Sequence, residues 1–250
     1  MNNDLVSIIM PAYNSERFIS ESIESVLSQT YKSWELIICD DSSSDNTKSI
    51  AISYSMKDNR INVIDNFYKK GAAGTRNSCI DNVNGKYIAF LDSDDLWYPD
   101  KIKVQIDYMK EHDVHFIFSY VDIISESNSF LKTYKSPPKV GSKIMMLNNF
   151  IPCCTVMYDA SKVGKIYQPD IKKRNDYALW LKMLKENVKH AHCIPVVTAK
   201  YRSNSYGLAS NKIENIKYYY KCRIKNEKSN NIIYIIELIY YLAMKIIKKK

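Results

Sequence analysis

The sequence predicts an α/β fold: a doubly wound, mostly parallel sheet flanked by helices, with a helical tail at the C-terminus. Three observations carry that expectation. Short apolar runs alternate with helix-period segments through the first 120 residues, the alternation recurs every 20–30 residues or so, and acidic residues gather just beyond two of the runs. Like runs so far apart need crossover connections, which join parallel strands in the right-handed sense. A sheet wound in this way binds its ligands at the carboxyl ends of its strands.

The elements follow in order. Val6–Met10 is a short apolar run suited to a buried strand, and Asn14 or Ser15 can cap a helix whose apolar face is Phe18, Ile19, Ile23, Val26 and Leu27. Glu35–Cys39 reads as the second strand, and Asp45 can cap a helix from about Asn46 to Met56. Ile61–Ile64 is the third strand, Ala72–Val83 the third helix and Tyr87–Leu91 the fourth strand. Pro99 suits the first turn of a helix running to about Glu111, with the strand His115–Tyr120 after it. The second half is less regular: Ser136–Lys139 is a loop, and Met145–Asp159 mixes apolar and small residues around Pro152. A helix pattern runs from Asp176 to Asn187, Ile194–Arg202 reads as a strand, and 209–227 reads as a further helix. We expect 1–120 to form the nucleotide-binding half of a single domain, 121–210 its acceptor-binding half, and 211–250 a pair of C-terminal helices ending in a basic amphipathic tail.

Bulk properties narrow the classes. At 250 residues the chain can bury one substantial core, and a charged fraction of 25 % marks a folded body rather than a disordered one. Met-Asn-Asn-Asp-Leu at the start lacks a basic segment and an apolar run, so no signal peptide is expected. The six cysteines, Cys39, Cys79, Cys153, Cys154, Cys193 and Cys222, form no Cys-x-x-Cys pair, which fits reduced core thiols in a cytoplasmic protein. Residues 221–250 hold eight Lys/Arg against Glu227 and Glu237, so six of the nine net positive charges sit in the tail. A nucleic-acid reader spreads its basic residues over the fold. No nucleic-acid partner is therefore expected, and the tail points to an anionic membrane surface instead. Ile232–Ile247 is apolar for 16 residues but contains Glu237 and Lys245, whereas a bilayer crossing needs about 20. Tyr234, Glu237, Tyr241, Lys245 and Lys248 form one polar stripe, so this helix either packs on the domain or lies in a membrane interface.

The chemistry gathers at the strand ends. Asp40-Asp41-Ser-Ser-Ser-Asp45 follows the second strand, and Asp92-Ser93-Asp94-Asp95 follows the fourth. Asp and Ser serve turns and caps everywhere, and for Asp45 capping is the stronger reading. The others converge on the rim where this architecture holds ligands. A carboxylate there can accept from a uracil imide or ribose hydroxyls, and one of a close pair can hold a hard divalent cation while leaving coordination sites open for a diphosphate. An EF-hand calcium loop is excluded, because the required Gly and distal Glu are missing after Asp92. A dinucleotide oxidoreductase is excluded by the lack of Gly-x-Gly-x-x-Gly after the first strand. A sugar nucleotidyltransferase remains as an alternative, though Pro11-Ala-Tyr-Asn14 lacks the glycine its first loop would need. So does an inactive nucleotide-sugar-binding homologue.

Pro11-Ala-Tyr-Asn14, Asp40-Asp-Ser-Ser-Ser-Asp45, Gly71-Ala-Ala-Gly-Thr-Arg-Asn77, Leu91-Asp-Ser-Asp-Asp95 and Asn175-Asp-Tyr-Ala-Leu-Trp180 occur in that order. Each is weak alone; the ordered set resembles the family 2 glycosyltransferases of the GT-A fold over about residues 5–210. The resemblance implies an inverting enzyme that uses a UDP-sugar. Pro11, Ala12, Tyr13 and Asn14 would line the nucleotide, Asp41 would bind the uracil edge, and Arg76 would lie near the nucleotide. Asp92 with Ser93 would contact the ribose or uridine, Asp94 would hold Mn²⁺ or Mg²⁺ on the diphosphate, and Asp176 would be the catalytic base. From helix signals alone Asp176 reads equally well as an N-cap. Two departures stand out: the family often has Glu-Asp where this chain has Asn175-Asp176, and Tyr-Arg-x-His where it has Tyr201-Arg-Ser-Asn204. Arg202 would then contact a diphosphate or lie on the surface, and Cys153-Cys154 would line an acceptor pocket or the core. The four histidines read as structural or surface groups. The resemblance further implies a small bacterial enzyme of O-antigen or related lipopolysaccharide synthesis, working at the inner face of the cytoplasmic membrane. It would add glucose or galactose, in β-1,3 linkage, to an N-acetylhexosamine carried on undecaprenyl diphosphate.

Overall fold

A computed structural model describes residues 4–145, 148–171 and 173–203. Its first half follows the alternation in the sequence: β1 (Val6–Ala12), α1 (Ile19–Leu27), β2 (Trp34–Asp40), α2 (Thr47–Ser55), β3 (Ile61–Asp65), α3 (Ala72–Asp81) and β4 (Tyr87–Phe90). Then come β5 (Leu96–Trp97), α4 (Lys101–His112), β6 (Phe116–Ile124), β7 (Phe130–Tyr134), β8 (Lys139–Val140) and α5 (Ser142–Met145). A 3₁₀ turn at Cys153–Thr155 leads to β9 (Met157–Asp159), α6 (Ala160–Val163), α7 (Asn175–Glu186) and β10 (Ala191–Arg202). The helices expected at 209–227 and in the basic tail lie outside the described residues, as do Asn204 and Cys222.

One sheet runs in the order β3-β2-β1-β4-β9-β6-β10-β5, with β7 on β6 and β8 on β10. β1 pairs in parallel with β2 and β4, β2 with β3, and β6 with β10; β9 is antiparallel to both β4 and β6. Those pairings make β1, β2, β3, β4, β6 and β10 run the same way, so the mostly parallel sheet expected from the sequence is present. The chain winds outward from β1 through β2 to β3, then returns to place β4 on the other side of β1. That reversal opens a crevice at the carboxyl ends of β1 and β4, where ligands of doubly wound sheets bind.

Strand alternation builds two cores. Val6, Ile8 and Met10 of β1 join Leu36 and Ile38 of β2 against Ile19, Ile23 and Val26 of α1 and Ile102 and Ile106 of α4. On the opposite face Ile9, Ile37, Ile88 and Phe90 pack on Cys79 and Ile80 of α3 and on Tyr177, Trp180 and Leu181 of α7. Trp180 is fully buried, edge-on to Phe90 at 5.0 Å and tilted against Phe116 at 5.6 Å. Contacts of this kind are worth about 0.5–1.5 kcal/mol each beyond area burial. They seat α7 on the sheet and bring its N-terminus to the ligand rim.

Two helix starts differ from expectation. α1 begins at Ile19 with Phe18 at the N-cap and no side-chain cap. Asn14 and Ser15 are engaged elsewhere: Asn14 Oδ1 accepts from Ser44 N at 2.9 Å, and Ser15 N donates to Thr47 Oγ1 at 2.7 Å. Pro99 precedes α4, whose N-cap is Asp100. Asp45 does support α2, its Oδ1 accepting from Thr47 N at 3.0 Å.

Candidate active site

The first loop, after β1, places Ala12 and Asp41 together: Asp41 N donates to Ala12 O at 2.9 Å. Pro11 and Ala12 close β1, and beyond them the Tyr13 ring is 52 % exposed, open to a planar ligand, with Lys70 Nζ 4.8 Å from its centroid. Asn14, in the left-handed region (φ 46), braces the Ser43–Ser44 turn with both its backbone N and its side-chain Oδ1, so it shapes the loop beside Tyr13.

Asp41 is buried and its carboxylate already has work. Oδ1 accepts from Asn66 Nδ2 at 2.7 Å and Oδ2 from Gly71 N at 2.8 Å, so it clasps both feet of the loop 66–71. A carboxylate offers about four lone-pair sites, which leaves acceptor capacity for a base edge. Gly71 has φ 124 and ψ 161, a region essentially closed to other residues. At Gly74 a Cβ would stand 2.0 Å from the Lys69 carbonyl oxygen, so the loop depends on a bare backbone there as well.

α3 is buried along nearly its whole length, which forces its polar residues to find partners. Asn77 exchanges two bonds with the Gln168 backbone, at 3.0 and 2.7 Å. Arg76 reaches in two directions: Nη2 forms a short ion pair with Asp92 Oδ1, and Nη1 donates to Asn175 Oδ1 at 3.0 Å. Burial works against the guanidinium charge, but the Asp92 carboxylate overcomes it and holds Arg76 above its ordinary range. Arg76 is a permanent buried cation.

The loop after β4 carries Asp92, Ser93, Asp94 and Asp95. Asp92 and Asp94 are partly exposed at the rim; Ser93 and Asp95 are buried. Burial, then the neighbouring Asp94 and Asp92 charges, push the Asp95 carboxyl well above the usual range, although Asp95 Oδ1 accepts from Arg202 N at 2.8 Å. A cation brought to this rim would relieve the crowding of carboxylates. No group of three or more His, Cys, Asp or Glu side chains able to hold a metal occurs among the described residues. The donor set is one or two carboxylates at an open edge, which fits an ion held jointly by protein and substrate phosphates rather than in a protein cage.

Asp176 is the second residue of α7, not its cap. Arg174 occupies the N-cap at φ 59 with no side-chain cap bond. Asp176 Oδ2 accepts instead from Asn149 Nδ2 at 3.1 Å, and its own amide donates to Asn175 Oδ1 at 2.8 Å. The capping alternative therefore does not hold, and the carboxylate stands partly exposed at the cleft. Arg202 is corrected in both senses. It is 1 % exposed and its guanidinium is consumed by Asp94 O, Glu126 O, Asn128 Oδ1 and Glu21 Oε2, with Phe18 beneath it at 4.6 Å. It clamps the acidic loop to β10 and α1.

The structure thus brings Asp92, Arg76 and Asp176 into one continuous network, with Ala12, Tyr13 and Asp41 on the neighbouring strand ends. Other residues join the site, some without any signal in the sequence. Cys153, half-buried, lies among Arg76, Asp92 and Asp176: enclosure pushes its thiol up, Arg76 draws it down, and the two carboxylates add to the rise. Tyr201, 41 % exposed, has its phenol raised by enclosure and by Asp95, Asp94 and Asp92. Asn66 and Asn149 carried no signal. Asn175 did, as a departure from Glu.

Sheet order, switch point and acidic rim define the class: an α/β protein of the GT-A type. Staphylococcus aureus TarS residues 1–349, solved in complex with UDP, superposes with a TM-score of 0.66 at 20 % identity, covering 95 % of this chain and 70 % of that one. Mannosyltransferase PcManGT from Pyrobaculum calidifontis, solved with GDP-Man and Mn²⁺, gives 0.67 at 16 %, covering 90 % and 66 %. The glycosyl transferase family 2 model matches residues 7–163. Escherichia coli WfgD, a UDP-Glc:α-D-GlcNAc-diphosphoundecaprenol β-1,3-glucosyltransferase, is 42 % identical over 217 residues, covering 87 % of this chain and 84 % of its own. Escherichia coli WfaP, of the same named activity, is 42 % identical over 214 residues, covering 85 % and 83 %. This chain belongs to glycosyl transferase family 2 and is a glycosyltransferase.

Proposed function

We propose that the chain transfers a hexose from a UDP-sugar to a hydroxyl of an N-acetylhexosamine carried on undecaprenyl diphosphate, with inversion to a β-linkage. The observation that carries this reading is the joining of Asp92 and Asp176 through Arg76 and Asn175 across one cleft, in a chain 42 % identical to two enzymes named for that reaction. The named activity of those relatives favours glucose over galactose as the sugar and a 1,3 linkage, and an undecaprenyl-diphosphate acceptor fits the expected role in O-antigen or related polysaccharide assembly.

In this reading Tyr13 lies along the uracil ring, and Asp41 accepts from its edge while holding the 66–71 loop. Asp92, with Ser93 behind it, meets the ribose, and Arg76 holds the Asp92 carboxylate in place. Asp94 would hold Mn²⁺ or Mg²⁺, which when bound neutralises charge on the departing diphosphate. Asp176 takes the proton of the acceptor hydroxyl as that oxygen attacks the anomeric carbon from the face opposite UDP. A single displacement needs one such base and inverts the configuration. Asn149 fixes the direction of the Asp176 carboxylate. Residues 1–120 would serve the donor and 121–210 the acceptor.

No helix of the described residues is long and apolar enough to cross a membrane. The basic tail, outside those residues, would bring the enzyme to the inner face of the cytoplasmic membrane, where the lipid-linked acceptor resides. Removal of 230–250 should abolish co-sedimentation with anionic vesicles; unchanged co-sedimentation would remove the tail from this role. The base assignment is tested by Asp176→Asn: transfer should fall by at least about a thousandfold while UDP binding persists. Near-normal turnover would overturn it.

A further inference from the structure

Asn175 separates Arg76 from Asp176 and is bonded to both. Its Oδ1 accepts from Arg76 Nη1 at 3.0 Å and from the backbone N of Asp176 at 2.8 Å, and the residue is 7 % exposed. With Asp92 on the other arm of Arg76 and Asn149 on Asp176 Oδ2, a continuous row crosses the cleft from the β4 loop through α3 to α7. We propose that Asn175 is a positioning residue that ties the base to the donor side of the cleft, its side-chain carbonyl holding the Arg76 guanidinium and the Asp176 amide in one geometry. This rests on the assignment of Asp176 as the base.

The start of α7 shows why such a tie is needed. Arg174 at the N-cap is in the left-handed region, with no side-chain cap to set the direction of the first turn. The Asn175 side chain supplies that anchor from inside the helix, and Arg76 fixes Asn175 in turn. An amide oxygen has two lone pairs, enough for both donors. It also adds no charge beside Asp92 and Asp176. A carboxylate here would accept equally well, but it would compete with Asp92 for the guanidinium and stand as a like charge next to the base. Asn175 therefore meets the geometric requirement without the electrostatic conflict. A displacement of about 1 Å at a reacting group can cost on the order of a hundredfold in rate, so loss of the tie should be read mainly in turnover.

The test compares Asn175→Ala, Asn175→Asp and Asp176→Asn, using full-length protein, UDP-glucose and undecaprenyl-diphosphate GlcNAc. Turnover is measured with UDP affinity and melting temperature. Asn175→Ala should lower kcat by about 10- to 100-fold while the Kd for UDP stays within about threefold. Asn175→Asp, which keeps the acceptor oxygen but adds charge, should fall between Ala and the parent. A kcat within about twofold of the parent for Asn175→Ala would overturn the positioning role. So would UDP affinity lost in step with kcat. Asp176→Asn separates the two levels. Full activity there overturns the base itself, whereas an inactive Asp176→Asn beside an unaffected Asn175→Ala overturns the tie alone.

Discussion

Replacing Asp92 by Asn and replacing Arg76 by Met remove opposite halves of one ion pair, yet the two changes should differ in cost. The Arg76 side chain is 6 % exposed and the Asp92 side chain 28 %. In Asp92→Asn the guanidinium stays buried without its anion, with Asn175 Oδ1 as its other acceptor and its Nε already lacking one. Stripping one partner from a buried pair costs about 3–5 kcal/mol when the remaining charge is fully enclosed. The neutral Asn retains an acceptor at the open rim, so about 2–4 kcal/mol is expected. In Arg76→Met the charge itself disappears, and the stranded Asp92 reaches water. That change should cost less than about 2 kcal/mol, because an apolar chain of similar length fills a buried slot and no buried charge is orphaned. At about 2–4 °C per kcal/mol for a domain of this size, Asp92→Asn should melt roughly 4–16 °C below the parent and Arg76→Met much nearer to it. Urea unfolding and thermal melts without nucleotide measure both variants side by side. If Arg76→Met were equally or more destabilising, the account of Arg76 as a buried cation balanced chiefly by Asp92 would be wrong.

Two further substitutions probe the scaffold. Gly74→Ala drives a Cβ into the Lys69 carbonyl and should shift the loop that Asp41 clasps, weakening UDP binding at least about tenfold; calorimetry showing unchanged affinity would detach that loop from the nucleotide. Lys101 is fully enclosed over the Trp97 ring, and burial lowers it from its ordinary 10.5 to about 7, with a small opposing pull from Cys154. Its folded pKa lies below the unfolded one. Between about pH 7 and 10.5 the unfolded chain therefore binds the extra proton, and stability is lost as pH falls through that window. The slope reaches about 1.4 kcal/mol per pH unit, and Lys101→Met should remove it; parallel stability profiles for the two proteins from pH 7 to 9.5 would refute this.

Local signals made much of the fold legible. Apolar runs with helix periods between them placed β1–β4 and α1–α4 to within a few residues, because each buries a face that its own spacing reveals. The strand-end aspartates were legible for a related reason: an acid directly after a buried strand has few places to go. What escaped was set by distant partners. β9 is three residues long and takes its place between β4 and β6 through pairing, not pattern. Asn14, Asn66 and Arg202 look like turn or surface residues, and only the folded chain shows the bonds that occupy them. Asp176 was ambiguous for the opposite reason, since Asp at a helix start has a common local use. The Asn149 contact and the Arg174 backbone remove that use.

The central claim is that this cleft carries out inverting transfer of a hexose from UDP to a lipid-linked N-acetylhexosamine. Its most direct test is to incubate the purified protein and a divalent cation with UDP-glucose and undecaprenyl-diphosphate GlcNAc, then determine the product's anomeric configuration by NMR alongside the UDP released. The account predicts one UDP released per β-linked glucose added. An α-linked product, or no transfer from any UDP-sugar to that acceptor, would contradict it.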